Sequence, residues 1–373
     1  MKAKQAGGGL LGMFRVSVFI RRGVRWTLAA LVAGAALAGG MAATSAPVYA
    51  AAAGTGGMDL LVQGSNFEVL QTSRYASGHW APTRQLFKNQ FFYDFTDVVQ
   101  NGRLRLFIEQ PSGTVLTLEQ AEQKADGSWT TPTPMAGLPT IDATTSLPTR
   151  NFLAAAVVGT HVHLVYIGST GQIMHTSERA DGTWTYPDQV ASGSAYKQDK
   201  FASVSAASVG GLLQIAVVDQ AHGTVLHTVR HADGTWASWG NVLSQTGKPR
   251  YWGLPIRVAM AGFGTSLQMV VLTNGQVAQY HAVRHADGSW SRLGDINAQV
   301  DFNRAGFVGT VLQEVTAVNV SGNLQLVFAS DDDKGSLFHT IRYANGTWSK
   351  AGLVQRATNL SSWRPSGVAG SAG

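Results

Sequence analysis

Arginine, histidine and tyrosine recur at fixed distances ahead of six tryptophans, Trp80, Trp129, Trp184, Trp236, Trp290 and Trp348. Six residues before each stand Arg74, Gln123, Glu178, Arg230, Arg284 and Arg342, and five before stand Tyr75, Lys124, Arg179, His231, His285 and Tyr343. Nine before stand Gln71, Gln120, His175, His227, His281 and His339. These types suit recognition of a polyhydroxylated ligand. A guanidinium donates a planar fork of hydrogen bonds, and an aromatic ring offers its face to the apolar side of a sugar. On an extended strand the residues nine and five before the tryptophan share one face, and the residue six before points to the other. Arg74, Tyr75, Arg230, His231, Arg284, His285, Arg342 and Tyr343 are therefore candidate ligand-binding residues. The competing expectation is that the arginines and histidines satisfy backbone carbonyls inside the fold. The six tryptophans are expected to be structural, filling the wedge between adjacent sheets.

Metal, cofactor and catalytic chemistry have no comparable pattern. His227 and His231, His281 and His285, and His161 and His163 could each share a strand face. A metal needs three or four converging ligands, however, and no repeat supplies a carboxylate at a matching offset, so no metal site is expected. The run Asp331-Asp332-Asp333 lacks the spaced oxygen ligands of a calcium loop and reads as a solvated turn. The chain has no cysteine, which removes disulfides and thiol nucleophiles. It also lacks a nucleophile elbow and a phosphate loop, and Glu68, Glu109 and Glu314 are dispersed. The expectation is a protein without a cofactor and without catalysis. Carboxylates gathered at one end of a central channel would favour a glycan hydrolase instead.

The elements that position these residues follow from the spacing of the tryptophans. Each is preceded by a glycine turn, as in Asp233-Gly234-Thr235-Trp236 and Asn345-Gly346-Thr347-Trp348, and the intervals are 49, 55, 52, 54 and 58 residues. A period near fifty made of β-rich units predicts an all-β propeller, in which each four-stranded blade buries its faces against its neighbours. The fullest unit reads as strands over 202–209, 212–219, 224–231 and 235–242, with the Asp-Gly pair as a two-residue hairpin turn. Five complete units are expected over 93–135, 151–190, 201–242, 257–296 and 314–354. The first unit, starting at Met58, has only second and third strands ahead of Trp80 and lacks an innermost one. The C-terminal segment 363–373 resembles the innermost-strand segment 254–264. The two ends of the chain are therefore predicted to complete one blade and close a ring of six, leaving no open inner edge.

Residues 1–50 carry six cations and no acid, then the apolar run Trp26–Met41 and small residues up to Ala50. That is the order of a secretory signal peptide with cleavage after Ala50. Arg21-Arg22 is followed by Gly-Val rather than bulky apolar residues, so a twin-arginine route has little support over general secretion. A linker at 51–57 and a single domain at 58–373 follow. The whole chain has 28 Lys and Arg against 22 Asp and Glu, and without the first fifty residues the two signs balance at 22 each. The apparent basicity therefore gives no reason to expect nucleic acid as a partner.

The stretch Val225 to Gly240, with His227, Gly234, Trp236 and Trp239, resembles the strand–hairpin–strand unit of the bacterial Photorhabdus-type lectin-like propellers. The resemblance implies glycan partners, with fucose or O-methylated sugars held in pockets between blades. It also singles out Trp239 as a ring that meets ligand. The family's second tryptophan is replaced elsewhere by Thr83, Pro132, Pro187, Leu293 and Ala351, and the named lectins have seven blades where six are expected here. A secreted carbohydrate-binding propeller, not inserted in a membrane once the signal is removed, is the expectation. A glycan hydrolase and a protein-binding scaffold are the alternatives.

Overall fold

The computed structural model of the chain describes residues 57–64, 67–90, 92–142, 153–190, 201–274, 279–306, 312–330, 336–354 and the backbone of 367–372. The segment 1–50 with its cleavage position, the linker up to residue 56, Asp331–Asp333 and Trp363 lie outside them. The described strands form six sheets, one per predicted unit, and together make a six-bladed propeller. In the fourth blade the inner strand Phe201–Val209 is followed outward by Leu212–Asp219, Thr224–Arg230 and the two-residue Gly240–Asn241. The fifth and sixth blades repeat this order over 255–295 and 312–353. The second blade adds Ile141–Asp142 beside its third strand.

Second strands are apolar almost without interruption, as in Asn323–Ser330, where seven of eight residues are buried. Such strands are covered on both faces. Six apolar clusters do the covering, each drawn from two neighbouring blades, so the core is distributed among the gaps around the ring. One hairpin tryptophan packs on each cluster: Trp129, Trp184, Trp236, Trp290, Trp348 and Trp80, in order around the ring.

The hairpins before these tryptophans differ from the two-residue turn expected. His231 N–H donates to Thr235 O (2.8 Å) and Gly234 N–H to His231 O (2.9 Å), which makes a three-residue loop built on a type I turn. Only the glycine takes positive φ, +88° at Gly234, whereas a two-residue type I′ turn needs it at both central positions. Aspartate is there for another reason. Asp233 Oδ1 accepts from Thr235 N–H (2.9 Å) and Oγ1 (2.7 Å), closing a local side-chain turn. The type I′ signature occurs instead at the inner hairpins, where Asn101 and Gly102, Gly210 and Gly211, and Ser321 and Gly322 all have positive φ.

The outer strand expected over 235–242 is also interrupted. Trp236 pairs with Arg230, and pairing resumes at Gly240 opposite His227, one residue out of step. The same slip occurs in every blade. One extra residue is a β-bulge, which bends the strand and stops a long outer edge from forming.

The ring closes where the sequence predicts. Gly367–Ala372 pairs residue for residue with Met58–Gln63 and supplies the first blade's innermost strand.

Candidate functional site

The register of the outer hairpin decides which side chains meet. Residues directly opposite in an antiparallel pair project to the same face. Each hairpin tryptophan is paired with the residue six before it, so Arg74 shares a face with Trp80, Arg230 with Trp236, Arg284 with Trp290 and Arg342 with Trp348. That face looks at the preceding blade. There the residue nine before that blade's own tryptophan is a histidine whose ring stands nearly perpendicular to the indole. The centroid distances are 5.3 Å for His175 and Trp236, 5.4 Å for His227 and Trp290, and 5.5 Å for both His281 with Trp348 and His339 with Trp80.

Four gaps therefore hold the same three groups: His175, Arg230 and Trp236; His227, Arg284 and Trp290; His281, Arg342 and Trp348; His339, Arg74 and Trp80. The last set spans the seam between the sixth and first blades. The gap between the fifth and sixth blades contains a cavity of about 290 Å³ lined by His281, Asp295, Gln299, Arg342, Gly346 and Trp348. That lies at the lower end of the roughly 300–1,000 Å³ of pockets for drug-sized ligands.

Each histidine is anchored from behind by a residue on the second strand of its own blade. His227 Nε2 lies 2.8 Å from Gln214 Oε1, His281 Nε2 2.6 Å from Gln268 Oε1 and His339 Nε2 2.9 Å from Gln325 Oε1. In the third blade His163 takes the glutamine's place, its Nδ1 2.9 Å from His175 Nε2. Burial disfavours the charged rings, and the next blade's arginine adds repulsion, so His227, His281 and His339 are pushed down to about 3. His175 is also pushed down to about 3, by burial and then by His163 and Arg230, and His163 to about 4. All five are neutral at pH 7.

The arginines are the unsatisfied members. Arg74, Arg230, Arg284 and Arg342 are half-buried, and none of their side chains makes a hydrogen bond or an ion pair among the described residues. Arg230 Nε is fully buried without an acceptor. Burial lowers the affinity of Arg74, Arg284 and Arg342 for their protons, with Tyr343 and Asp287 acting in the opposite, lesser sense on Arg74 and Arg284. Each guanidinium lies over the glycine of its own turn. A Cβ at Gly78, Gly234, Gly288 or Gly346 would sit 3.3, 3.1, 3.2 or 3.5 Å from the arginine Nη2. Glycine is thus required both for its positive φ and for room. Gly234→Ala is expected to cost about 1–2 kcal/mol from backbone strain alone, read as a lowered denaturation midpoint, and to displace Arg230.

The other two gaps are filled by the chain itself. Between the first and second blades, Gln71 Oε1 accepts from Arg84 Nη2 (2.6 Å) and Trp129 Nε1 (3.1 Å), and buried Gln123 stands where an arginine would. Between the second and third, Glu178 occupies that position and takes Arg105 Nη1 at 2.9 and 2.7 Å, while Arg105 Nη2 donates to Gln120 Oε1 (2.8 Å).

Of the residues singled out in sequence, Arg230 and His231 are chain neighbours that point into different gaps, as alternation requires. Tyr75, His231, His285 and Tyr343 are exposed, and Tyr343 on the sixth blade acts electrostatically on Arg74 of the first. Trp239 is half-buried and packs, with Trp236, on the cluster between the third and fourth blades. Sequence reasoning missed the anchoring glutamines. Their signal was present as Leu213-Gln214-Ile215, Leu267-Gln268-Met269 and Leu324-Gln325-Leu326, a repeated polar residue inside an apolar strand.

The axial cavity between inner strands measures about 100 Å³, with Thr96, Asp97, Ser205 and Thr316 among its lining. At the starts of the inner strands, Arg257 holds Glu314 through Nε and Nη2, both at 2.8 Å. Asp94 Oδ1 and Oδ2 accept from Phe95 N–H (2.8 Å) and Leu153 N–H (3.1 Å). Glu109, paired across the sheet with Asp94 and 1% exposed, is held well above the usual carboxylate range by burial and then by Asp94. No group of three or more histidines and carboxylates suited to a metal occurs among the described residues. No described helix is long and apolar enough to cross a membrane.

No known protein family and no curated protein matches the sequence. Solved structures do match the fold. AofleA from Arthrobotrys oligospora is similar over 81% of this chain and 84% of its own, at 13% identity and a TM-score of 0.55. The fucose-specific lectin from Aleuria aurantia is similar over 80% of this chain and 90% of its own, at 14% identity and a TM-score of 0.53. Another structure of the Aleuria aurantia lectin, described as a six-bladed β-propeller, is similar over 81% and 93%, at 15% identity and a TM-score of 0.53. The chain has the fold of these lectins. At these identities the likeness is one of architecture.

Proposed function

We propose that this protein is a non-catalytic carbohydrate-binding propeller with four ligand sites, one in each gap that holds histidine, arginine and tryptophan. The observation that carries the reading is the set of four half-buried guanidinium forks without a partner among the described residues, each beside an indole ring and a neutral imidazole. A guanidinium that served only as a brace would spend its donors on carbonyls or carboxylates, as Arg84, Arg105 and Arg257 do. These four leave theirs open at the mouth of a gap, and a sugar hydroxyl or oxyanion is what such a fork accepts. The fucose specificity of a solved lectin of the same fold, that of Aleuria aurantia, supports sugar as the ligand class.

Several weak sites on one rigid ring favour a multivalent glycan surface, because linked binding events raise avidity by about 10²–10⁴ without any new contact. Carboxylates do gather at the channel end, as a hydrolase needs, but they are engaged or buried: Glu314 is held by Arg257, Asp94 by two backbone amides, and Glu109 is 1% exposed. Export to the cell exterior rests on the composition of residues 1–50. The test is a glycan-array screen of the protein recovered from the medium, with Ala51 expected at its N-terminus. Binding should fall about tenfold or more in Arg284→Ala at an unchanged melting temperature. No signal above background for the wild-type protein would remove the lectin reading.

A further inference from the structure

We infer that the four gaps select an anionic sugar, whose carboxylate or sulfate oxygens meet the guanidinium fork, over a neutral one. The inference rests on the sugar-binding reading above and narrows its ligand class.

The argument begins with charge. A cation taken partly out of water is costly unless a counter-charge and hydrogen bonds replace the solvent. Arg74, Arg230, Arg284 and Arg342 have neither among the described residues, and the imidazole facing each is neutral. An oxyanion supplies both at once, in the bidentate geometry that matches a guanidinium.

The ring contains its own precedent. In the gap between the second and third blades the position six before Trp184 is Glu178, and its carboxylate receives Arg105 Nη1 at 2.9 and 2.7 Å across the blades. This gap therefore accommodates a carboxylate against a guanidinium, and here the protein provides both partners. In the four open gaps it provides the cation alone.

Nearby acids do not pair with these arginines among the described residues. Asp287 is in the turn beneath Arg284, but its Oδ1 is engaged by Ser289 N–H (2.9 Å) and Oγ (2.7 Å). Asp233 is engaged in the same way by Thr235. The turns beneath Arg74 and Arg342 have Ser77 and Asn345 at that position. Asp295 lines the cavity of Arg342, yet its Oδ1 accepts from Asn297 N–H (2.8 Å) and it forms no ion pair with the arginine. The gap of Arg74, with no acid in the turn, is the one that should hold an anion most tightly, whereas Asp295 opposes an anion beside Arg342.

The experiment is calorimetric titration of the whole protein with glucuronate, methyl glucuronate ester, galactose 6-sulfate and methyl α-fucoside, at about 20 and about 200 mM salt. Glucuronate or galactose 6-sulfate is expected to bind at least about tenfold more tightly than the ester and the fucoside at low salt, with the margin shrinking at high salt. Whichever of the two anions binds more tightly identifies the source of the oxyanion. Arg342→Ala and Arg74→Ala should each remove one anion site from the stoichiometry, and Arg342→Lys should keep that site with lower affinity. Melting curves on all three variants report whether they are folded. Equal affinity for glucuronate and its ester, or an anion stoichiometry unchanged in both alanine variants, overturns the inference and leaves the sugar-binding reading standing. Failure of all four sugars to bind the folded wild-type protein overturns both.

Discussion

Deleting Gly367–Gly373 is expected to lower the melting temperature by about 10 °C or more, or to leave a chain that aggregates on purification. The six residues from Gly367 to Ala372 pair with all of Met58–Gln63, where Met58, Leu60, Leu61 and Val62 are at most 1% exposed. Net hydrogen bonds contribute roughly 0.5–1.5 kcal/mol each, and uncovering a large apolar side chain costs about 1.5–3 kcal/mol. Even partial loss of both comes to a large share of the roughly 5–15 kcal/mol that holds a domain folded. The deletion also exposes an unpaired inner edge, the part of a sheet most prone to pair with another chain. Differential scanning calorimetry and light scattering read the two effects. A synthetic peptide of residues 361–373, added in excess, should recover part of the lost stability. A truncated protein that melts within a degree or two of the full chain would show that the ring does not depend on this strand.

Acid should weaken the protein steeply between pH 6.5 and about 4. His175, His227, His281 and His339 are pushed down to about 3 in the folded state and His163 to about 4, whereas an unfolded histidine titrates near 6.5. The unfolded chain therefore takes up protons first. Stability from these rings is fully present above about pH 6.5 and is lost as pH falls toward the folded values. At pH 5 a ring so placed forgoes about 2 kcal/mol, and the rings together a large share of a domain's stability. Glu109 works in the opposite sense. Its folded form favours the proton, so it gains stability as pH falls, as does the less buried Glu119, but they are two groups against five. The turn aspartates Asp126, Asp181, Asp233 and Asp287 have lowered affinities for protons through their side-chain and backbone hydrogen bonds, and they add to the loss once pH drops below the ordinary carboxylate range. Urea denaturation at pH 7.5 and 5.0 checks this. The slope of stability against pH should fall by about one proton in His281→Gln. Equal stability at the two pH values would mean the buried rings are not the acid-sensitive elements.

Much of the architecture was legible in the chain because it is written in short-range terms. The glycine–tryptophan period counts hairpins, apolar runs such as Leu212–Asp219 mark strands covered on both faces, and the missing inner strand of the first unit points to the C-terminus. The turn type was misread for a local reason. Asp-Gly in a two-residue loop and Asp-Gly at the end of a three-residue loop look alike in sequence, and only the pairing of His231 with Thr235 separates them.

The candidate site was legible as a list of residues and hidden as an arrangement. Arg230 and His231 appeared as one unit because they are adjacent, yet they face opposite gaps. Arg230 belongs with His175, fifty-five residues earlier and on another blade. By itself, the sequence determined the repeat, the number of blades, the closure by the two ends and the residue types available in each blade. All of these depend on local periodicity and on the alternation of side chains along a strand. The packing of the blades set which histidine meets which arginine, that the four arginine side chains have no partner among the described residues, and that Glu178 and Gln71 close the remaining gaps. Those outcomes depend on how one sheet is set against the next, and that packing is a long-range property on which spacing along the chain has no purchase.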